Sequence, residues 1–375
     1  MMFSHFVLLS FALLLCYHCC LGRITKGPGD RLLVYNDTPS AYNQEMKVIE
    51  QGRSFVLDQM TSFHLRKPLL CAVIMNISNP LSKHILHTNI RKTNHQCEWL
   101  LLFYAGHREE AKICNHPIYR RNIIHCDHTM VTRGNMTMIP KPFLYVEIAR
   151  FLRNYQYLLL LDEDISLVTF DLPLYERIHK CSMTPNPPPL ISQGLVSEAT
   201  QFYKYLYYGS YENQEHFKGM MLSETVFIEQ QAPYFNTLFF EWFLRFIVEP
   251  TLPLVKITES AWGTDSTWCG AAYSFAKNIL EYNMTRYIPC ALITGSPPFH
   301  HNDGRTIKSQ RTNTEYFKLK GNEMRDSYKN NYPTWFHSGH NKENDTNPLR
   351  MDNPLIRSYA LPDSCRFLSG NTLVV

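Results

Sequence analysis

Three consecutive carboxylates, Asp162, Glu163 and Asp164, follow directly on the apolar run Tyr157-Leu158-Leu159-Leu160-Leu161. A strand buried in a sheet does not carry ionised side chains unless its end opens to solvent or onto a cation. The carboxyl ends of strands are also where open α/β sheets bind ligands. On a strand or tight turn, Asp162 and Asp164 project to one side and Glu163 to the other. Two hard oxygen ligands on one side suit Mg²⁺ or Mn²⁺ shared with the phosphates of a substrate. Adjacent carboxylates also repel one another unless positive charge sits between them. A bare Asp-x-Asp arises readily by chance, and its competing reading is a strand-to-loop turn whose carboxylates cap the next helix. The apolar strand in front of it favours coordination of a metal and a diphosphate.

Three further groups carry candidate chemistry. Ala261-Trp262-Gly263-Thr264-Asp265 precedes an apolar segment; Thr264 or Asp265 suits a helix cap, and an Asp at a pocket edge also suits a general base. Glu229 stands before Gln230-Gln231-Ala232-Pro233, equally placed to cap a following helix or to bind an acceptor hydroxyl and act as base. His300 and His301 follow a short apolar run and a Pro-Pro turn; a neutral imidazole there adds a ligand to a carboxylate-held metal, whereas a His pair on a loop is otherwise surface. His125-Cys126-Asp127-His128 lacks the paired spacings of a structural zinc site.

The elements that must position these groups read as alternating strands and helices. Leu69 to Met75, Trp99 to Tyr104 and Asn122 to Cys126 are runs of strand length, and Pro142 to Arg153 has helical apolar spacing. The carboxylate run then ends about the fourth strand. Asp171 to His179 reads as a helix, Leu190 to Gln193 as a short strand, Thr225 to Glu229 as a strand, Tyr234 to Val248 as a strongly apolar helix, Trp268 to Lys277 as another helix and Cys290 to Thr294 as a strand. Tyrosines from Tyr203 to Tyr211 mark a loop that either packs on the domain or stacks on sugars or bases. This alternation predicts a layered α/β sheet with mostly parallel strands flanked by helices, in one main domain with a polar C-terminal extension.

At 375 residues, 45% hydrophobic and 13% aromatic, the chain is long enough for one large core. A net charge of +4 gives no basic footprint for nucleic acid. Phe6 to Cys16 is a short apolar run followed by Cys20-Leu21-Gly22, which reads as a cleaved secretory signal or, extended to Leu21, as a signal anchor. An anchor of that kind is the one membrane association expected. Of the 11 cysteines, those beyond the signal form an even set that suits an oxidising lumen, with the pairing open. Asn36, Asn76, Asn135, Asn283 and Asn344 head glycosylation sequons. No retention tetrapeptide ends the chain, so the Golgi lumen or secretion is expected rather than residence in the endoplasmic reticulum.

Taken in order, these stretches resemble a glycosyltransferase of the GT-A type. More narrowly, they resemble a glycosyltransferase-like family known as domain of unknown function 707. The matching residues are Leu161-Asp162-Glu163-Asp164, Ile191-Ser192-Gln193, Glu229 with Ala232-Pro233, Trp262-Gly263-Thr264-Asp265 and the late His300–His301 pair. The chain departs from the family pattern at Thr264, where Leu is common, and in the insertion from Tyr203 to Tyr211.

The resemblance implies a catalytic domain over residues 67–308, preceded by a signal or anchor (1–22) and a stem (23–66) and followed by an extension (309–375). It implies a nucleotide-sugar donor, a glycan, protein or small-molecule acceptor, and Mn²⁺ or Mg²⁺ held by Asp162 and Asp164 with His300 or His301. Glu163 would add to the donor site, and Asp265 or Glu229 would serve as the base. Two alternatives remain at this level. One is a non-catalytic secreted binding protein on the same fold. The other is a haloacid-dehalogenase-like phosphatase with Asp162 as nucleophile, for which the later Lys and Gly-Asp-x-x-x-Asp are missing.

Overall fold

A computed structural model of the protein describes residues 39–76, 78–93, 95–105, 123–126, 140–197, 221–225, 227–296, 299–301, 314–336 and 358–359. Helix α1 (Pro39–Phe63) leads into strand β1 (Lys67–Asn76), helix α2 (Pro80–Lys92) and strands β2 (Glu98–Ala105) and β3 (Ile123–Cys126). Helix α3 (Lys141–Leu152) precedes β4 (Tyr155–Asp162) and the two-residue β5 (Ile165–Ser166). Then come α4 (Leu172–Cys181), β6 (Ile191–Gly194), β7 (Val196–Ser197), β8 (Leu222–Glu224) and β9 (Pro233–Asn236). Helices α5 (Thr237–Phe243), α6 (Leu252–Thr258) and α7 (Trp268–Ser274), strands β10 (Cys290–Ile293) and β11 (Phe299–His301), helix α8 (Thr314–Asn331) and β12 (Ser358–Tyr359) complete the order.

The main sheet has the order β12-β8-β10-β6-β9-β4-β1-β2-β3. Strand β4 lies parallel to β1, β1 to β2, β2 to β3 and β10 to β6, while β9 and β8 run against their neighbours. The layered α/β architecture with mostly parallel strands is therefore the one expected. Its central strands are apolar on both faces, as strands covered by helices on either side must be: Leu69 to Met75 and Leu158 to Leu161 are buried throughout. Local signals set the helix starts. Asn79 accepts from the Leu81 N–H, and Asp171 from the Leu174 N–H, each at 3.0 Å and each with a Pro in the first turn.

Two expectations need correction. Tyr234 to Val248 is not one helix. The Asn236 side chain accepts from the N–H groups of Leu238 and Phe239, so the helix begins at Thr237. Pro233–Asn236 instead inserts as an antiparallel strand between β4 and β6. The strand expected over Thr225 to Glu229 is found at Leu222–Glu224, leaving Glu229 in the loop before β9. Both errors arise because apolar residues in a short run do not reveal their period.

Residues before β1 and after β11 also contribute to the core. Val48, Ile49, Phe55 and Val56 of α1 are buried, and Trp242 Nε1 donates to the Val48 carbonyl at 3.3 Å. At the other end Met324, Tyr328, Tyr332 and Trp335 are buried. Thr334 donates through its N–H and hydroxyl to the Glu45 carboxylate at 3.0 and 2.6 Å, which ties the C-terminal segment to α1. Disulfides join Cys71 to Cys97 and Cys269 to Cys290, as suits a secreted or lumenal protein. Among the described residues no helix is long and apolar enough to cross a membrane. The N-terminal apolar run, the Tyr203–Tyr211 segment and Asp127-His128 lie outside the described residues.

Beneath β6, His179 of α4 is fully buried, with Nδ1 at 2.8 Å from Ser192 Oγ and its ring edge-on to Tyr157 and Tyr234. Burial, and then the charge of Lys180, lowers its pKa from 6.5 to about 3. The unfolded chain thus binds the proton that the folded one refuses. This contribution to stability is complete above pH 6.5 and is lost as pH falls toward 3, at about 1.4 kcal/mol per pH unit. His179→Gln is expected to flatten that part of the melting-temperature profile between pH 6.5 and 4 relative to wild type; parallel profiles would count against it. A second expectation concerns Gly270 of α7, where a Cβ would overlap the backbone of Trp335. Gly270→Ala should lower unfolding free energy by about 1–3 kcal/mol, read by urea denaturation.

Candidate functional site

The site forms where β4 emerges from the sheet. The Asp162 N–H donates to the Gln231 carbonyl at 2.9 Å, which draws the loop before β9 over the strand end. Facing Asp162 is Lys141, the first residue of α3, in the sequence Pro140-Lys141-Pro142. Its Nζ donates to both Asp162 oxygens, at 2.7 and 2.9 Å. Both side chains remain partly exposed, at 31% for Lys141 and 24% for Asp162, so the pair is reachable from solvent. Glu163 turns the other way, as the strand alternation requires. Its Oε2 accepts from the Asn76 N–H at 2.6 Å at the end of β1, a bond that serves the backbone there.

Asp164 stands on the Lys141 side. Its carboxyl is pushed up to about 7 by burial and then by the charge of Asp162, with Lys141 acting in opposition. Immediately after it, β5 pairs antiparallel with β11, setting His301 opposite Ile165 and His300 opposite Ser166. The His pair therefore lies on a strand of a small sheet and not on a loop, and its backbone runs beside the carboxylate turn. Their imidazoles lie outside the described side chains.

Glu229 is held by an amide clamp: its N–H donates to Gln193 Oε1 at 3.0 Å, and Gln193 Nε2 donates back to its carbonyl at 3.2 Å. Burial, and then the Asp265 charge, pushes its carboxyl up to about 8. Asp265 opens a single helical turn, Asp265–Thr267, before α7. Gly263 enables this approach: its φ of +92° is in the region that disfavours side chains, and it packs on the Arg325 backbone. The helix-capping reading does not hold for either residue, because α7 has no side-chain cap bond and Thr264 Oγ1 donates to the Ala261 carbonyl at 2.9 Å. Asp265 accepts from the Ser266 N–H at 3.0 Å and from the Gln230 side chain, while burial raises its pKa to about 6. Gln230 also accepts from the Tyr145 hydroxyl at 3.4 Å, which links α3 to Asp265.

Asp162, Asp164, Glu229 and Asp265 are thus brought together from separate segments, all within the field of the Lys141 charge. Lys141, Tyr145 and Gln230 escape a reading of sequence alone, although a Lys between two prolines at a helix start is the signal that marks Lys141. Among the described residues no three metal-ligating side chains converge. Two carboxylates nevertheless fit Mg²⁺ or Mn²⁺, which are commonly held by one or two carboxylates together with substrate phosphates.

No protein-family profile and no curated protein sequence matches the chain. Solved structures to which the chain is similar include S. aureus TarS 1–349, at 11% identity over 71% of each chain with a TM-score of 0.34. Another is the mannosyltransferase PcManGT of Pyrobaculum calidifontis in complex with GDP-Man and Mn²⁺, at 14% identity over 78% of this chain and 81% of that one, TM-score 0.33. A third is glucosyl-3-phosphoglycerate synthase of Mycobacterium tuberculosis in complex with Mn²⁺, UDP and glucosyl-3-phosphoglycerate, at 6% identity over 74% and 84%, TM-score 0.36.

The raised carboxyl of Glu229 favours the protonated form in the folded state, so stability falls as pH rises from about 4.5 to 8. Glu229→Gln should therefore raise the melting temperature relative to wild type at pH 8.5, with a smaller gain at pH 5. Equal shifts at both pH values would contradict the desolvated environment.

Proposed function

We propose that this protein is a metal-dependent glycosyltransferase of the secretory pathway, of the family resembled by its ordered motifs, transferring a sugar from a nucleotide donor to an acceptor hydroxyl. The observation that carries this reading is the Asp162 carboxylate at the open end of β4, bonded by Lys141, with the carboxyls of Asp164, Glu229 and Asp265 within the electrostatic reach of that ammonium. Asp162 and Asp164 would hold Mn²⁺ or Mg²⁺, with His300 or His301 as a further ligand. Bound there, the cation supplies charge neutralisation to a diphosphate leaving group.

The chain's own groups do the rest. Asp265 and Glu229 carry carboxyls poised near neutral pH, the range in which a general base is effective. Gln193 fixes the Glu229 backbone, and Gln230 fixes Asp265. Either carboxylate is suited to accept the proton of an acceptor hydroxyl if the reaction inverts the anomeric centre. The expected cellular setting is the Golgi lumen or secretion, with the signal over residues 1–22 either cleaved or kept as an anchor.

Two measurements test the reading. A panel of sugar nucleotides should contain one donor that raises the melting temperature with Mn²⁺ present and not without it, since ligand held by the native state stabilises it. Asp164→Asn should abolish Mn²⁺-stimulated hydrolysis of that donor while secretion is unchanged; turnover equal to wild type would reject the role of Asp164.

A further inference from the structure

The proposed function leaves Lys141 without a task. Its ammonium donates to both oxygens of Asp162, one of the two carboxylates to which that reading gives a divalent cation. An ammonium and a divalent ion at contact distance from one carboxylate repel each other, so one displaces the other. Lys141 has the means to move. It is the first residue of α3, about a third of its side chain is exposed, and its four-carbon stem carries a compact charge with no planar geometry to satisfy. Whatever it leaves, it does not leave the site, because Asp164, Glu229 and Asp265 also lie within its field. A diphosphate entering this edge meets the Asp162 carboxylate and needs positive charge beyond that already neutralised by Asp162.

Resting on the proposed reading, we infer that Lys141 is an exchangeable cation. It holds Asp162 before the donor arrives, and it transfers to the diphosphate oxygens of a nucleoside diphosphate when a divalent ion takes its place on Asp162. The exchange keeps Asp162 compensated in both states, and it makes Lys141 a competitor for metal alone and a partner for metal with nucleotide. A lysine that merely braced the fold would have neither property.

The test is calorimetric titration of the full-length protein with MnCl₂ alone, then with UDP or GDP in the presence of Mn²⁺. K141M and K141Q are each expected to bind Mn²⁺ alone about tenfold more tightly than wild type and the nucleoside diphosphate about tenfold more weakly, the scale of one charge-assisted hydrogen bond. K141R, which keeps the charge, should hold the nucleotide within about threefold. In the wild-type protein, labelling of Lys141 by an amine-reactive reagent should rise with Mn²⁺ alone and fall when UDP or GDP is added, a readout that needs no variant to fold. Metal and nucleotide affinities that both stay unchanged, or that fall together, would overturn the exchange while leaving the transferase reading intact. Failure of the wild-type protein to bind either ligand would overturn both.

Discussion

The architecture depends on the complete burial of β4. Leu158 to Leu161 are covered on both faces, and the strand's backbone is paired with β1 on one side. Pairing with β9 on the other side stops at Leu159. No ionised side chain is tolerated until the strand leaves the layer, and Asp162 is the first that does. Because β9 no longer runs alongside at that point, the Asp162 N–H is satisfied by the Gln231 carbonyl instead. That one bond bends the loop containing Glu229 over the strand end. The burial requirement and the gathering of acidic groups are therefore two consequences of the same strand.

Collecting carboxylates at a partly buried edge has an electrostatic cost, and the fold meets it in two ways. Lys141 supplies one full charge directly to Asp162, while burial raises Asp164, Glu229 and Asp265 toward their neutral forms. Structural ion pairs this open to solvent contribute little to stability. Glu163 illustrates the contrast, since its bond to the Asn76 N–H completes the hydrogen bonding at the end of β1.

The supporting frame is stiff where the site needs it to be. Gln193 reaches from the end of β6 to clamp Glu229 on both backbone polar groups, and Gly263 lets the segment before Asp265 lie against α8. Disulfides fasten β1 to the turn before β2 and α7 to β10. The N-terminal helix and the C-terminal segment, joined through Glu45 and Thr334, close the packed body far from either motif in sequence.

Much of this was legible in the chain. Apolar runs bounded by turn residues located β1, β2, β4 and β10, because strands buried on both faces must be continuously apolar. The abrupt change to Asp162-Glu163-Asp164 located the end of β4 for the same reason. Short elements were less legible: Pro233–Asn236 reads like the start of the helix that follows it, and only its pairing with β4 and β6, together with the Asn236 cap, separates the two. The sequence by itself determined the layered α/β class, the carboxylate turn and the acidic residues available to it, since these follow from local pattern and the cost of burying charge. Tertiary structure alone decided that Lys141 pairs with Asp162, that Gln193 clamps Glu229 and that the His300–His301 strand runs beside Ile165, because long-range register and charge compensation are set by packing between segments distant along the chain.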